Sequence, residues 1–211
     1  MSGHYAHSQQ NFWQIQRKNY RKTEKKIKFP LLLPVKINSK WGYINRLGQV
    51  VINPQFDYAS DFDSSDYAII GINNLQGLIN EKGEIILQPL NKKIQILNKN
   101  YIGVALDTLW GISKVNGNNI IEKHFSKIKM FSPEIFLTFK DNLKGLVDNT
   151  GNIIVPNKFN FIKNEGISFY KVLSDSGAGL YDISGRKILS DIYEDIKAHV
   201  MYVSVTVCVR Y

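Results

Sequence analysis

The sequence predicts an all-β chain: an open, solenoid-like tandem array of five β-hairpin repeats of about 34 residues, with a five-bladed β-propeller as the alternative. Three observations carry this prediction. Two glycines six residues apart recur five times at near-constant spacing. The segments on either side of each pair are β-branched and apolar, which disfavours a helical repeat of similar period. In four units an Asn or Asp stands three residues before the second glycine, as a hairpin turn requires.

Taken in chain order, residues 1–30 read as a flexible basic leader. They hold Arg17, Lys18, Arg21, Lys22, Lys25, Lys26 and Lys28 against one acid, Glu24, so +6 of the formal net charge of +9 lies there. The other residues carry 20 basic and 17 acidic side chains, leaving +3. A near-neutral body with a basic arm differs from a domain with a basic binding face. Trp13 and Tyr20 interleave with the cations, so the seven basic residues are the candidate polyanion contacts.

Residues 31–211 form the predicted repeat domain. The first glycines are Gly42, Gly77, Gly111, Gly145 and Gly179, and the second are Gly48, Gly83, Gly117, Gly151 and Gly185. The units centre on 40–62, 75–97, 109–131, 143–165 and 177–199, followed by a lone strand at 201–209. Within each unit, Asn45, Asn80, Lys114, Asp148 or Asp182 opens a type I turn closed by glycine with positive φ. The preceding strand is apolar on both faces, as in Leu146 and Val147, so it is covered on both sides by stacked neighbours. The following strand reads VVI, IIL, II, IIV and IL. Phe56, Phe125, Phe159 and Tyr193 come next, and Ala59, Ile94, Ile128, Ile162 and Ile196 follow in the same register. That three-residue step predicts one turn of α- or 3₁₀-helix. A third strand, as in YAIIGI and YIGVAL, then leads into the next unit, with LLLPVKI before the first.

The segment KWGYINRLGQVVINPQFDYASDF resembles a WG-repeat unit, in which a Lys-Trp-Gly-Tyr-Ile hairpin is followed by Gly, an apolar strand, Pro, an aromatic and a short acidic stretch. The likeness extends with decay over 31–209. Trp41 and Trp110 hold the Trp position, and Gln76, Lys144 and Ala178 replace it. The resemblance implies a β-rich array, usually bacterial and often envelope-associated, without shared catalytic activity and with interaction roles.

Motifs for chemistry are sparse. One cysteine, Cys208, excludes an internal disulfide framework and a multi-cysteine metal site. SDSGAG around Ser176 superficially resembles a serine-protease nucleophile segment, but no His is placed as its base. Asp61, Asp63 and Asp66 lack EF-hand spacing, and the histidines at 4, 7, 124 and 199 lack ligand spacing. Trp41 and Trp110 read as packing between hairpins.

The expectation is therefore a non-enzyme without a cofactor or metal, binding a protein or a cell-surface polymer through its repeats. Nucleic-acid or anionic-surface association through the leader is the alternative. The longest apolar run, FPLLLPV, is too short for a membrane helix, and the polar start predicts a cytoplasmic chain, in tension with the envelope association of the relatives. The C-terminal strand, with Val203, Val205, Val207 and Val209 on one face, is an edge expected to promote self-association or partner strand addition, or to belong to a longer array. A ring closed by its first strand needs only one of the lone strands at 31 and 203, so their coexistence favours the open array.

Overall fold

A computed structural model describes residues 32–197, and among them every regular element is a β-strand. Sheet one is β1 (Leu32–Ile37), β2 (Lys40–Asn45) and β3 (Val50–Phe56). Sheet two is β4 (Tyr58–Ala59), β5 (Tyr67–Ile72), β6 (Leu75–Asn80) and β7 (Ile85–Asn91). Sheet three is β8 (Lys93–Ile96), β9 (Tyr101–Ala105), β10 (Trp110–Lys114) and β11 (Asn119–Phe125). Sheet four is β12 (Lys127–Ser132), β13 (Ile135–Lys140), β14 (Leu143–Asp148) and β15 (Ile153–Phe159). Sheet five is β16 (Phe161–Glu165), β17 (Phe169–Ser174), β18 (Gly177–Asp182) and β19 (Lys187–Tyr193). Every sheet is an antiparallel meander in chain order. No strand of sheet five pairs with sheet one among the described residues.

The expected helical turn after each aromatic is absent, and this corrects the sequence reading. Ala59, Ile94, Ile128 and Ile162 lie instead on β4, β8, β12 and β16, each the first strand of the next sheet. Each of these four is buried with an exposed neighbour before it, and the last three have one after it as well: the period of a strand, not of a helix. The packing unit is thus offset from the sequence unit: a sheet takes its first strand from the tail of the preceding repeat. One residue, Asp57, Lys92, Ser126 or Asn160, makes each step between sheets. The amides of Asp57, Ser126 and Asn160 already donate to the new sheet, at Gly71, Phe139 and Leu173 carbonyls.

Two kinds of turn alternate. The glycine hairpins join the last two strands, and Gly83 and Gly151 have φ of 82° and 96°. Strands β1 and β2, β5 and β6, and β13 and β14 are joined by Asn38–Ser39, Asn73–Asn74 and Asp141–Asn142, with positive φ at both residues, as in a type I′ turn. Register shifts between β14 and β15, and at the same place in the other four units, throw a bulge toward the first glycine.

The core is a series of slabs, one at each sheet boundary. Tyr43, Ile52 and Phe56 of sheet one meet Ala68, Ile70 and Ile79 of sheet two. Leu78 meets Ile102 and Val104, Ile112 and Phe125 meet Phe136 and Val147, and Leu146 and Phe159 meet Tyr170, Val172 and Tyr181. A fifth cluster, with Ala178, Leu180 and Ile196, closes the far side of sheet five. Alternate residues of each inner strand therefore face preceding and following sheets, which is why both faces read as apolar. The expected leader at 1–30 and lone strand at 201–209 lie outside the described residues.

Candidate functional site

The array has two rims of different character. On the tip rim stand the glycine hairpins and the loops joining the first two strands of sheets two to five. At four tips, one carboxylate or amide oxygen organises the turn. Asn45 Oδ1 accepts from the amides of Leu47 and Gln49, both at 3.0 Å, and Asn80 Oδ1 accepts from Lys82 and Glu84, also at 3.0 Å. Asp148 Oδ1 accepts from Thr150 at 2.8 Å and Asn152 at 2.9 Å, and Asp182 Oδ1 accepts from Ser184 at 3.0 Å and Arg186 at 2.9 Å. Burial raises the pKa of Asp148, but the bonds from Thr150 and Asn152 outweigh it and hold the carboxyl below its ordinary range. For Asp182 the Ser184 hydroxyl leads the same lowering.

Between a tip and the loop beside it lies an open cleft, and three of these fall at equivalent places. One of about 740 Å³ is lined by Glu134, Ile135, Asp148, Asn152 and Ile153 of sheet four with Ile183 of sheet five. A second, of about 460 Å³, lies among Asp66, Tyr67, Asn80, Glu81 and Lys99. The third, about 280 Å³, lies among Asn100, Tyr101, Lys114 and Val115. Asp66, Asn100 and Glu134 are one repeat apart, as are Asn80, Lys114 and Asp148. Bonds across the sheet boundaries hold the rim together: Lys99 to Asp66 at 2.9 Å, Asn149 Nδ2 to the Tyr101 hydroxyl at 3.2 Å, and Asn98 Nδ2 to the Pro133 carbonyl at 3.1 Å. Exposed Leu47, Ile153, Ile167 and Ile183 stand among the polar groups. Apolar anchors beside fixed donors and acceptors can bind; no nucleophile with its base stands among them.

The opposite rim, at the steps between sheets, carries lysines over aromatic rings. Lys36 Nζ lies 5.7 Å from the Trp41 ring centroid, Lys127 5.8 Å from Phe139, Lys144 5.7 Å from Phe161 and Lys158 5.0 Å from Phe159. Sequence reasoning missed this rim. Its signal was the 34-residue step from Lys127 to Phe161, which becomes informative only once the step between sheets is located.

The remaining candidates are placed as follows. Arg17, Lys18, Arg21, Lys22, Lys25, Lys26 and Lys28 lie outside the described residues, as do His4, His7, His199 and Cys208. Trp41 and Trp110 are partly buried against the slabs at the boundaries of sheets one with two and three with four. A Cβ on Gly42 would sit 2.4 Å from the Ile52 carbonyl oxygen, and Gly77, Gly111 and Gly145 face equivalent carbonyls; Gly179 is looser, with Asp191 Cα at 3.1 Å. Gly48, Gly117 and Gly185 share the positive φ of Gly83 and Gly151. Ser176 occupies the exposed β17–β18 turn, and the His124 ring lies 4.0 Å from that of Phe125. Asp63 accepts from the Ser65 amide and hydroxyl of its own loop, and Asp66 pairs with Lys99 of the neighbouring sheet. Among the described residues, no group of three His, Cys, Asp or Glu is placed to hold a metal, and no helix is long and apolar enough to cross a membrane.

Compared with known proteins, residues 41–75 match the family model for the WG containing repeat. No curated protein matches the chain. Among solved structures it is similar to Kluyveromyces lactis Hsv2, at 12% identity and a TM-score of 0.39 over 75% of this chain and 59% of that one. It is also similar to the C-terminal WD40 domain of Sif2, at 10% identity and a TM-score of 0.34 over 72% and 52%. A protein of unknown function from Bacteroides caccae is similar at 14% identity and a TM-score of 0.28 over 80% and 76%. The chain spans about three fifths of the Hsv2 chains and about half of the Sif2 domain.

Proposed function

We propose, from the premise that this chain is a WG-repeat protein, that it works as a non-catalytic scaffold holding a protein or a cell-surface polymer along its tip rim. The observation that carries this reading is the recurrence of the cleft: Asp66, Asn100 and Glu134 face Asn80, Lys114 and Asp148 at one-repeat intervals on one rim. A row of similar small sites suits an extended or repetitive ligand, for which weak contacts add along the array. The differing residues in each cleft then set what each site accepts.

The alternative is association with a nucleic acid or an anionic surface through the leader, whose seven cations against one acid support it. The two readings separate in one experiment on the full chain. Ile153→Arg with Ile183→Arg fills the cleft between sheets four and five with exposed charge, whereas Gln at all seven leader positions removes its cations. If the tip rim binds, capture of partner protein or envelope polymer fails with the first variant and survives in the second. If heparin and DNA are retained by the wild type at 0.15 M salt and lost with the second variant alone, the polyanion reading replaces it.

A further inference from the structure

Every internal boundary joins one following face to one preceding face, so the two ends of the array are complementary by construction. Sheet one presents an uncovered preceding face. Leu33 is 42% exposed, whereas its equivalents Ala68, Ile102, Phe136 and Tyr170 are at most 4% exposed. Val35 and Ile44 on the same face are half-buried, while Ile70, Val104, Thr138 and Val172, and likewise Ile79, Ser113, Val147 and Tyr181, are buried. The outer edge of β1 also lacks what the other sheets have. Sheets two to five each begin with a strand donated by the preceding repeat, whereas β1 pairs with β2 alone among the described strands.

The other end of the chain supplies that missing strand in sequence register. Ile196 follows Ile94, Ile128 and Ile162, which sit opposite Val104, Thr138 and Val172. The equivalent of those partners in sheet one is Val35. Lys93, Lys127 and Phe161 sit opposite Ala105, Phe139 and Leu173, so the same register sets Asp195 opposite Lys36. None of the three internal pairs is oppositely charged; the terminal pair is. Asp195 is largely exposed and is engaged by Lys171, a buried lysine at the position of Ile69, Gly103 and Leu137. Residues 194–197 have no strand partner in the described chain.

We propose that the preceding face and β1 edge of sheet one receive the end of a second copy of this chain, Ile196 opposite Val35 and Asp195 opposite Lys36, extending the array head to tail. The joint repeats the packing of the internal boundaries. It is independent of what the tip rim binds. An interface of this kind is heterologous, so it closes into a ring where the rotation between copies permits and otherwise grows as an open chain, and in either case assembly rises with concentration.

Sedimentation of the full chain over a wide concentration range tests it, with thermal melts as the folding control. The wild type is expected to associate progressively. Leu33→Glu, at an exposed position that leaves the fold intact, weakens association at least about tenfold. Lys36→Asp and Asp195→Lys each weaken it alone, and mixing the two variant chains restores it, because each end then meets its opposite charge. A wild type that stays monomeric overturns the proposal, whether its ends stay free or close on each other within one chain. So does association unchanged by Leu33→Glu, or a mixture of folded charge variants that does not recover.

Discussion

Hairpins three and four make the same turn with different chemistry at its first position. In hairpin four the Asp148 carboxylate gathers the amides of Thr150 and Asn152, the Thr150 hydroxyl at 2.7 Å and the Asn152 side-chain amide at 3.0 Å. In hairpin three Lys114 has no acceptor to offer. That tip depends on Asn116 Oδ1, which accepts from the Asn118 amide at 3.2 Å, and on the Asn100 carbonyl of the adjoining loop, which takes the Val115 amide at 3.0 Å. The backbones still agree. Gly117 and Gly151 have φ of 90° and 96°, and both donate to the carbonyl three residues back. The glycines therefore define the turn, and the Asn or Asp reinforces a geometry already set.

The largest effects should come from the glycines and be alike in both hairpins. A Cβ on Gly145 would stand 2.7 Å from the Val155 carbonyl oxygen and 2.9 Å from the Asn157 amide nitrogen, and one on Gly111 would stand 2.5 Å from the Ile121 carbonyl oxygen. These are backbone atoms of the bulged strand, which cannot rotate aside. Gly145→Ala and Gly111→Ala are each expected to cost about 3 kcal/mol in urea melts. Gly151→Val, strained in φ and 3.0 Å from the Ile120 carbonyl, should cost about 1–3 kcal/mol. Wild-type stability in Gly145→Ala would show that the bulge moves away freely, and that the first glycine is not what fixes this hairpin.

Acid should tell the two hairpins apart. Asp148 has its folded pKa depressed, so its contribution is complete above its ordinary value of about 4 and fades as pH falls through the lower folded value. Asp191 behaves alike, pulled to about 2 chiefly by the Lys187 ammonium. Hairpin three has no such group at its turn. Asp148→Asn keeps the acceptor oxygen while removing the titration, so its melting temperature should fall less steeply than wild type between pH 4 and pH 2. Parallel curves would mean that the Asp148 bonds persist when protonated or never mattered.

The repeat was legible because both glycines answer to hard constraints, a positive φ and a carbonyl in contact, and such constraints recur at fixed spacing. The strands were legible from their β-branched, two-sided apolar character. What misled was the stretch from Phe125 to Ile128: a three-residue apolar step is one helical turn when the chain stays in one element, but here Ser126 carries it into another sheet. No local signal marks that step. The clefts were invisible for a related reason, since Glu134 and Asp148 come together only across a sheet, and the Lys171–Asp195 pair only after a fold back of 24 residues. The Asn73–Asn74 and Asp141–Asn142 turns, in contrast, were readable from residues that tolerate left-handed backbone and were passed over.

The smallest expected effect is also the most direct test of the comparison, because it rebuilds one hairpin in the image of the other. Lys114→Asn places an amide oxygen where Asn45 and Asn80 have one, within reach of the Asn116 and Asn118 amides. Hairpin three already holds the required backbone, so no rearrangement opposes the new bonds. Lys114 is exposed, and replacing it sacrifices no packing. Two bonds formed at a solvated turn should add about 0.5–1 kcal/mol, and the Asn118 amide would then exchange far more slowly with solvent. Stabilisation with slowed exchange confined to 114–119 would show that reinforcement is separable from the turn itself. An unchanged melt with unchanged exchange would mean that the Asn116 and Asn100 contacts already satisfy this tip, and that Asn or Asp at the first position matters only where the adjoining loop offers no carbonyl.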